Sequence, residues 1–221
     1  MLWLCSLVMV AAPAYAGDTW TLGVSVGGGV DAGPVQEGEG TAFRPGPVLV
    51  VPLRWQPRPG VGLRASLELA TAGGQDKVVW SETAGSSTQA YFSDQHEARY
   101  AAERLVIGPE VTLLPELLVS PYLGAGGGGG AVQTWHTFEG DTALLSAGGR
   151  PSTSQAALAA AGWLGLHVGR PDGVALEIEA GYCVSFLPEA PLHGAPAALD
   201  ATRTAWSLDL GHLGVGLSFP L

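Results

Sequence analysis

The sequence predicts an all-β protein, namely an eight-stranded antiparallel up-and-down transmembrane β-barrel. First, glycine and proline account for 33 and 16 of the 221 residues, and both residue types weaken helix interiors. Second, apolar residues alternate with small or polar residues along most of the chain, which is the period of a strand. Third, short and long connections follow one another in turn, as in barrels that cross an outer membrane.

Composition and charge exclude several other classes of protein. Only 14% of the residues are charged and 47% are hydrophobic, which disfavours a disordered chain. The formal net charge is -10, and Lys77 is the sole lysine. Because phosphate binding needs a basic surface, we expect no nucleic-acid partner.

The N-terminal segment is predicted to be a signal peptide. Residues 1–16 form an apolar run that ends in Ala14-Tyr15-Ala16, the small-x-small pattern of a cleavage site. A buried strand or a short anchor is the alternative. Residues 17–221 then form a single domain without an apolar run long enough for a transmembrane helix, so a membrane location requires a closed barrel.

The first four strands are predicted at residues 20–30, 48–55, 61–69 and 104–113. Each has large apolar residues at every second position and small or polar residues between them, which gives the strand one apolar face. The apolar series of these strands begin, in chain order, with Trp20, Leu49, Val61 and Leu105.

The other four strands are predicted at residues 117–133, 155–168, 174–186 and 206–219. The fifth strand contains a glycine run, the sixth is rich in alanine, and the seventh alternates regularly. In the eighth, the apolar series changes phase at Gly211-His212, where we expect a β-bulge.

The connections alternate between tight turns and long loops. Pro, Asp and Gly in the short segments suit tight reversals of the chain. The short turns are 57–60, 114–116 and 170–173, and the long loops are 32–45, 72–99, 134–153 and 187–203. The long loops are the natural candidates for recognition, because exposed loops on a rigid scaffold commonly bind partners.

Aromatic residues are predicted to form two girdles at the membrane interfaces, because most of them lie at strand ends. Trp163 lies within a strand and points inward in this register. The predicted interface residues are Trp20, Trp55 and Phe219 at the short-turn end and Tyr100, Trp135, Phe186 and Trp206 at the long-loop end.

Eight charged residues on the non-apolar face are predicted to form a network in the lumen. A plug of ion pairs and an ion path are the two interpretations, and the narrow interior of eight strands favours the plug. A soluble, lipocalin-like barrel is a further alternative, with its apolar face turned inward. The charged residues are Arg54, Arg64, Glu68, Arg104, Glu110, Glu177, Glu179 and Asp209.

Catalytic, cofactor and metal motifs are weak or absent. His212 lies near Ser207 and Asp209 in the chain, which leaves a lipid hydrolase as a minor hypothesis. The segment 94–97 contains acids and a histidine without a diagnostic metal spacing. Cys183 is expected to pack in the lumen as a small neutral side chain. No catalytic residue, metal site or cofactor is therefore predicted.

Two motifs give the chain a resemblance to the small eight-stranded outer-membrane barrels of the OmpA/OmpX type. Residues 121–126, Pro-Tyr-Leu-Gly-Ala-Gly, resemble a strand common in these barrels. His212, Gly214, Leu217 and Phe219 resemble their C-terminal assembly signal. The resemblance covers nearly all of residues 17–221, and the peptidoglycan-binding module of OmpA-like proteins has no counterpart.

The resemblance implies a location in the outer membrane of a Gram-negative-type bacterium, after cleavage of the signal peptide. Its implied partners are outer-membrane lipid, the barrel assembly machinery and an extracellular ligand or protein bound by the loops. The expected function is a non-enzymatic structural or surface-interaction role. A narrow, porin-like pore for small solutes and a lipid-modifying enzyme are the alternatives.

Overall fold

The computed structural model describes residues 19–31, 46–75, 79–84, 87–92, 96–138, 152–169, 173–191, 202–203 and 206–221. The predicted signal peptide and much of the long loops lie outside these ranges. In the described part of the chain, no helix has the length and apolar character needed to cross a membrane.

The described residues form twelve strands, numbered here in chain order. They are β1 (Thr19–Asp31), β2 (Gly46–Arg58), β3 (Val61–Gln75), β4 (Val79–Ala84), β5 (Ser87–Phe92), β6 (His96–Thr112), β7 (Val119–Phe138), β8 (Ser152–Gly169), β9 (Ala175–Leu187), β10 (Ala190–Pro191), β11 (Thr202–Arg203) and β12 (Trp206–Pro220).

Eight of these strands close into a barrel in the order β1-β12-β9-β8-β7-β6-β3-β2. Each pair of neighbours is antiparallel, and β1 pairs with β12 to complete the ring. Closure leaves the ring of eight strands without a free edge, as a structure inside lipid requires. The predicted fold class is confirmed.

The apolar face of the strands points outward. On β3, Val61 and Leu63 are 55% and 46% exposed, whereas the alternate residues Arg64 and Glu68 are 1% and 5% exposed. A soluble barrel would show the reverse arrangement, because its apolar face fills the interior. The lipocalin-like alternative is therefore wrong.

The turns that follow β2 and β6 lie at the same end of the barrel as the start of β1 and the end of β12. Gly60, in the turn between β2 and β3, has a φ of +82°, a conformation that favours glycine. The amide of Leu221 donates to the carbonyl of Trp20 at 2.9 Å and joins the last strand to the first. Strands β6 and β7 contain 17 and 20 residues, more than the 9 to 11 or so that cross a membrane, so the wall extends beyond the bilayer at the long-loop end.

A second, four-stranded sheet lies in segments that were predicted to be loops. Its order is β10-β11-β4-β5. Strands β4 and β5 form a hairpin from Val79↔Phe92 to Ala84↔Ser87, and β11 joins it through Arg203↔Trp80. Two of the long loops are thus held together by backbone pairing.

The β-bulge predicted at Gly211-His212 is absent. The register of β12 against β9 runs without interruption from Trp206↔Leu187 to Ser218↔Ala175. Because the register does not shift, Leu208 and Leu210 share the inward side with Gly214 and are 1% and 3% exposed. The apparent change of phase reflects apolar residues inside the barrel.

Candidate functional site in the barrel lumen

Arg54 on β2 lies at the centre of an ion-pair network in the short-turn half of the lumen. Its Nη1 and Nη2 donate to the two carboxylate oxygens of Glu177 at 2.6 and 3.1 Å. Its Nε lies 2.9 Å from Oε1 of Glu110. All three side chains are almost fully buried, and a bidentate pair of this kind fixes both position and orientation.

Arg64 on β3 forms the second half of the same network. Its Nη2 donates to Oε1 of Glu179 at 2.8 Å, and its Nη1 donates to Oε2 of the same carboxylate. Its Nη1 also lies 3.5 Å from Oε2 of Glu110, and its Nε donates to the hydroxyl of Ser66 at 2.5 Å. Glu110 therefore bridges the two arginines.

Four further side chains lie next to these carboxylates. The Tyr122 hydroxyl donates to Glu179 at 2.8 Å, and Nε1 of Trp163 donates to Glu110 at 2.9 Å. His167 Nδ1 lies 3.4 Å from Glu177, and His212 Nε2 lies 3.5 Å from Glu179. The inward Trp163, which lacked an explanation in the sequence, thus acts as a hydrogen-bond donor to the network.

The sequence reasoning did not include Tyr122, His167 or His212 among the lumen groups. The signal was present for Tyr122 and His167, because both share the inward side of their strands with glycines or small residues. For His212, the β-bulge predicted at this position left the direction of the side chain undefined in the sequence analysis. Continuous alternation through β12 places His212 inward.

Inward-facing glycines make room for the aromatic members of the network. A Cβ atom at Gly124 would come within 2.6 Å of the Trp163 ring, and one at Gly165 would come within 2.5 Å of Tyr122. In both cases the glycine is the direct strand partner of the aromatic residue. The Pro-Tyr-Leu-Gly-Ala-Gly motif therefore supplies both a buried donor and a space for its neighbour.

Arg104 and Glu68 form a separate pair in the middle of the lumen. They are direct partners on β6 and β3, and Nη1 of Arg104 lies 3.7 Å from Oε2 of Glu68. Cys183 of β9 is also buried, as a free cysteine. Because the separation of Arg104 and Glu68 exceeds that of a hydrogen bond, this pair is looser than the network toward the short-turn end.

The long-loop half of the lumen contains an apolar cluster, here called the apolar layer, together with the buried polar residues Thr134, Thr153 and Gln155. Tyr100 belongs to it and is 3% exposed, so its predicted position at the membrane interface is wrong. The layer consists of Val48, Val50, Ala70, Ala72, Tyr100, Ala102, Val132, Ala157, Leu187, Leu208 and Leu210.

Asp209 does not join the lumen charges, contrary to the prediction. It is 7% exposed, but its strand partner is Val184 and it falls on the same side of β12 as the exposed Leu213 and Val215. Its carboxylate accepts a hydrogen bond at 3.1 Å from the hydroxyl of Tyr182. The reason is again the continuous register of β12, which turns odd-numbered residues outward.

The same register separates the residues of the minor hydrolase hypothesis. His212 faces inward and lies beside Glu179, whereas Ser207 and Asp209 lie on the outer side. The segment 94–97 is only partly described, and none of its side chains is. Within the described residues, no group of three or more His, Cys, Asp or Glu residues could hold a metal ion.

Several predicted interface aromatics lie at the two rims of the barrel. The rings of Trp20 and Trp55 pack at the short-turn end with centroids 6.2 Å apart, and Phe219 there is 40% exposed. Trp135 and Phe186, toward the long-loop end, are 43% and 54% exposed. The side chain of Trp206 lies outside the described part. Anchoring at the interface and the assembly role of Gly214 and Leu217 remain predictions.

The whole arrangement resembles solved outer-membrane barrels in fold. The outer membrane protein OprG from Pseudomonas aeruginosa is 14% identical with a TM-score of 0.52, over 93% of this chain and 96% of that one. A major outer membrane protein from Thermus thermophilus is 11% identical with a TM-score of 0.49, over 91% of this chain and 99% of that one.

The attachment invasion locus protein Ail of Yersinia pestis is 15% identical with a TM-score of 0.43, over 92% of this chain and 97% of that one. No protein-family model and no curated protein sequence matches the chain. At this identity the likeness to OprG shows the fold alone.

Proposed function

Because the chain folds as a small eight-stranded outer-membrane β-barrel, we propose that it is a non-conducting, non-enzymatic scaffold whose long-loop end interacts at the cell surface. The observation that supports this proposal is the set of buried side chains that occupy the lumen. Two arginines and three glutamates bridge the wall in the short-turn half, and the apolar layer lies in the long-loop half beside buried threonine and glutamine side chains.

The two halves of the lumen oppose permeation in different ways. An ion entering from the short-turn end has to displace buried, hydrogen-bonded charges, and separating such a pair costs about 3–5 kcal/mol. An ion entering from the long-loop end has to lose its water against valine, leucine and alanine side chains. A narrow pore would form only if both the ion-pair network and the apolar layer changed conformation.

The long-loop end supports the surface-interaction part of the proposal. Strands β6 and β7 carry the barrel wall beyond the membrane, with register extending to His96↔Phe138. The hairpin β4–β5 is tied by β11 to the loop that follows β9. Such a paired sheet on a rigid wall presents a surface of defined shape, which suits recognition by a partner.

Conductance across a planar lipid bilayer tests the closed lumen. We expect the refolded wild-type protein to give no stable unit conductance under conditions in which a porin measured in parallel gives discrete steps. Stable steps from the wild-type protein would support the narrow-pore alternative and overturn the non-conducting scaffold.

The enzymatic alternative needs a separate experiment. We expect the outer-membrane lipids of cells that express the protein to have the same mass spectrum as those of cells with an empty vector. A new lipid species that depends on expression would show chemistry and contradict the non-enzymatic part of the proposal.

Cleavage at Lys77 tests which end faces the cell surface. This residue is the sole lysine of the chain, and in the sequence it comes two residues after Gln75, where β3 ends. We expect a lysine-specific protease to cut the protein in intact cells. Cleavage only after the outer membrane is permeabilised would place this end on the inside.

A further inference from the structure

We propose that the turn between β6 and β7 lies in the membrane leaflet at the short-turn end, with its leucines among phospholipid acyl chains and Glu116 among the headgroups. This turn, residues 113–118, is here called the leucine turn. The inference goes beyond the proposed function, because it concerns the end of the barrel opposite the long loops and needs neither a closed lumen nor a surface partner.

The leucine turn is more apolar than the other short connections. Its sequence is Leu-Leu-Pro-Glu-Leu-Leu, and its four leucines are between 47% and 65% exposed. The other two short turns contain charged residues, namely Arg58 in 57–60 and both Arg170 and Asp172 in 170–173. A contiguous exposed apolar patch indicates contact with a protein or with a membrane.

The lipid-facing surface of the barrel continues into the leucine turn, which favours the membrane as its occupant. Val111 near the end of β6 and Val119 at the start of β7 flank the turn and are 39% and 45% exposed. The polar residues next to them, Thr112 and Ser120, are buried. Acyl chains that cover the outer side of β6 and β7 therefore meet the leucines next, without a polar boundary between them.

The length of the apolar belt on β6 places the turn at the membrane boundary. Glu103 is exposed on the outer side of this strand, and a charge on that side is unfavourable within the hydrocarbon. The stretch from Leu105 to Leu113 has no outward charge and covers about 23 Å, at a rise of about 3.3 Å per residue and a tilt of about 40°. Because the apolar band of such barrels is about 25 Å tall, its far edge falls in the leucine turn.

Backbone carbonyls of the leucine turn have partners within the protein, as contact with acyl chains requires. The amide of Leu117 donates to the carbonyl of Leu114 at 3.0 Å, and the amide of Gly169 donates to the carbonyl of Leu118 at 2.9 Å. The hydroxyl of Ser120 donates to the carbonyls of Leu114 and Leu117, each at 2.9 Å. Leu114 has a φ of +53°, which is uncommon for a residue other than glycine, so these bonds hold a defined turn that exposes its leucines.

Spin labels test the position of the turn in the full chain, with Cys5 and Cys183 replaced by serine. Leu118→Cys carries a nitroxide on the leucine turn, Ile107→Cys carries one in the middle of the apolar belt, and Arg58→Cys carries one on a charged turn. The labelled proteins are refolded into vesicles of phosphatidylethanolamine and phosphatidylglycerol. Collisions of each nitroxide are measured with oxygen, which concentrates in hydrocarbon, and with a nickel chelate, which stays in water on both sides of the vesicle.

We expect the ratio of oxygen to nickel collisions at Leu118→Cys to be several-fold higher than at Arg58→Cys. It should remain below the ratio at Ile107→Cys, because the turn lies at the boundary of the hydrocarbon. Leu117→Cys, on the same turn, should behave like Leu118→Cys and serves in its place if that variant fails to fold. A ratio on the leucine turn equal to that at Arg58→Cys would overturn the proposal.

A protein that covers the turn is the competing occupant, and a water-soluble maleimide distinguishes it from lipid. We expect Leu118→Cys to react several-fold more slowly than Arg58→Cys both in the vesicles and in open fragments of outer membrane. Slow reaction in the fragments but fast reaction in the vesicles would show a protein cover and contradict the lipid contact. Conductance does not depend on this turn, so failure here leaves the proposed scaffold function to its own tests.

Discussion

Glu179 shows how single residues keep charge inside a membrane protein. Its carboxylate accepts hydrogen bonds from Arg64 and from the hydroxyl of Tyr122, and His212 lies 3.5 Å away. Buried charges persist only when they are paired and hydrogen-bonded. The stability of the short-turn half therefore depends on a few carboxylates with several partners each.

Removing the charge of Glu179 should be strongly destabilising. The Glu179→Gln variant leaves the guanidinium of Arg64 without its main buried counter-charge, and the loss is about 3–5 kcal/mol by analogy with broken buried pairs. The free energy of unfolding in urea, measured on the protein in lipid, checks this. Glu189→Gln, at an exposed glutamate, should change it little, and equal effects of the two variants would contradict the network.

Filling the space at Gly165 should also destabilise the barrel. A Cβ atom there would approach the Tyr122 ring to 2.5 Å, and overpacking of this kind costs about 1–3 kcal/mol. The unfolding temperature of Gly165→Ala measures the effect. Gly28→Ala is the matched control, because a Cβ at Gly28 meets no atom within 4 Å.

Strand β12 shows where the sequence pattern no longer indicates whether a side chain faces the lumen or the outside of the barrel. Alternation gave the correct inward side wherever one face was polar, as for Arg64 and Glu68 on β3. In the long-loop half both faces are apolar, so Leu208, Leu210 and Tyr100 looked like outer residues although they are buried. Asp209 was placed inside for the same reason, since it was taken as the polar side of an apolar series.

Cysteine labelling can check the direction of β12. In a chain with Cys5 and Cys183 replaced by serine, a lipid-soluble maleimide should modify Leu213→Cys in the folded barrel. It should modify Leu210→Cys only after unfolding, because Leu210 is 3% exposed. Rapid labelling of both positions in the folded state would contradict the continuous register and support the predicted bulge.

The hairpin β4–β5 is an element that the barrel should not need. Its strands pair with each other and with β11, while β3 and β6 remain paired up to Gln75↔Glu97. Replacing residues 76–95 with a short Gly-Ser linker should leave the unfolding temperature within about 2–4 °C of wild type, the shift that 1 kcal/mol produces in a chain of this size. The mobility difference between boiled and unboiled samples on gels should persist. A protein that no longer folds would show that the hairpin stabilises the wall.

At the scale of the whole molecule, the barrel closure and the outward apolar face followed from the sequence. Strand length, turn length and alternation are local features of the sequence. They were sufficient to predict the eight barrel strands, from β1, which contains Trp20, to β12, which contains Phe219. The sheet that joins β4 and β11 depends on Arg203 meeting Trp80, two residues that lie far apart in the chain. No local pattern marks a contact of that kind.

The ion-pair network also bears on how the chain enters a bilayer. Arg54 lies on β2, near the start of the chain, and Glu177 lies on β9, 123 residues later. A half-inserted intermediate would expose an unpaired guanidinium to hydrocarbon, at a cost of a few kcal/mol for each charge. Strands that carry opposite charges therefore have to reach the hydrocarbon together, so β2 can leave water only when β9 is at hand to pair with it.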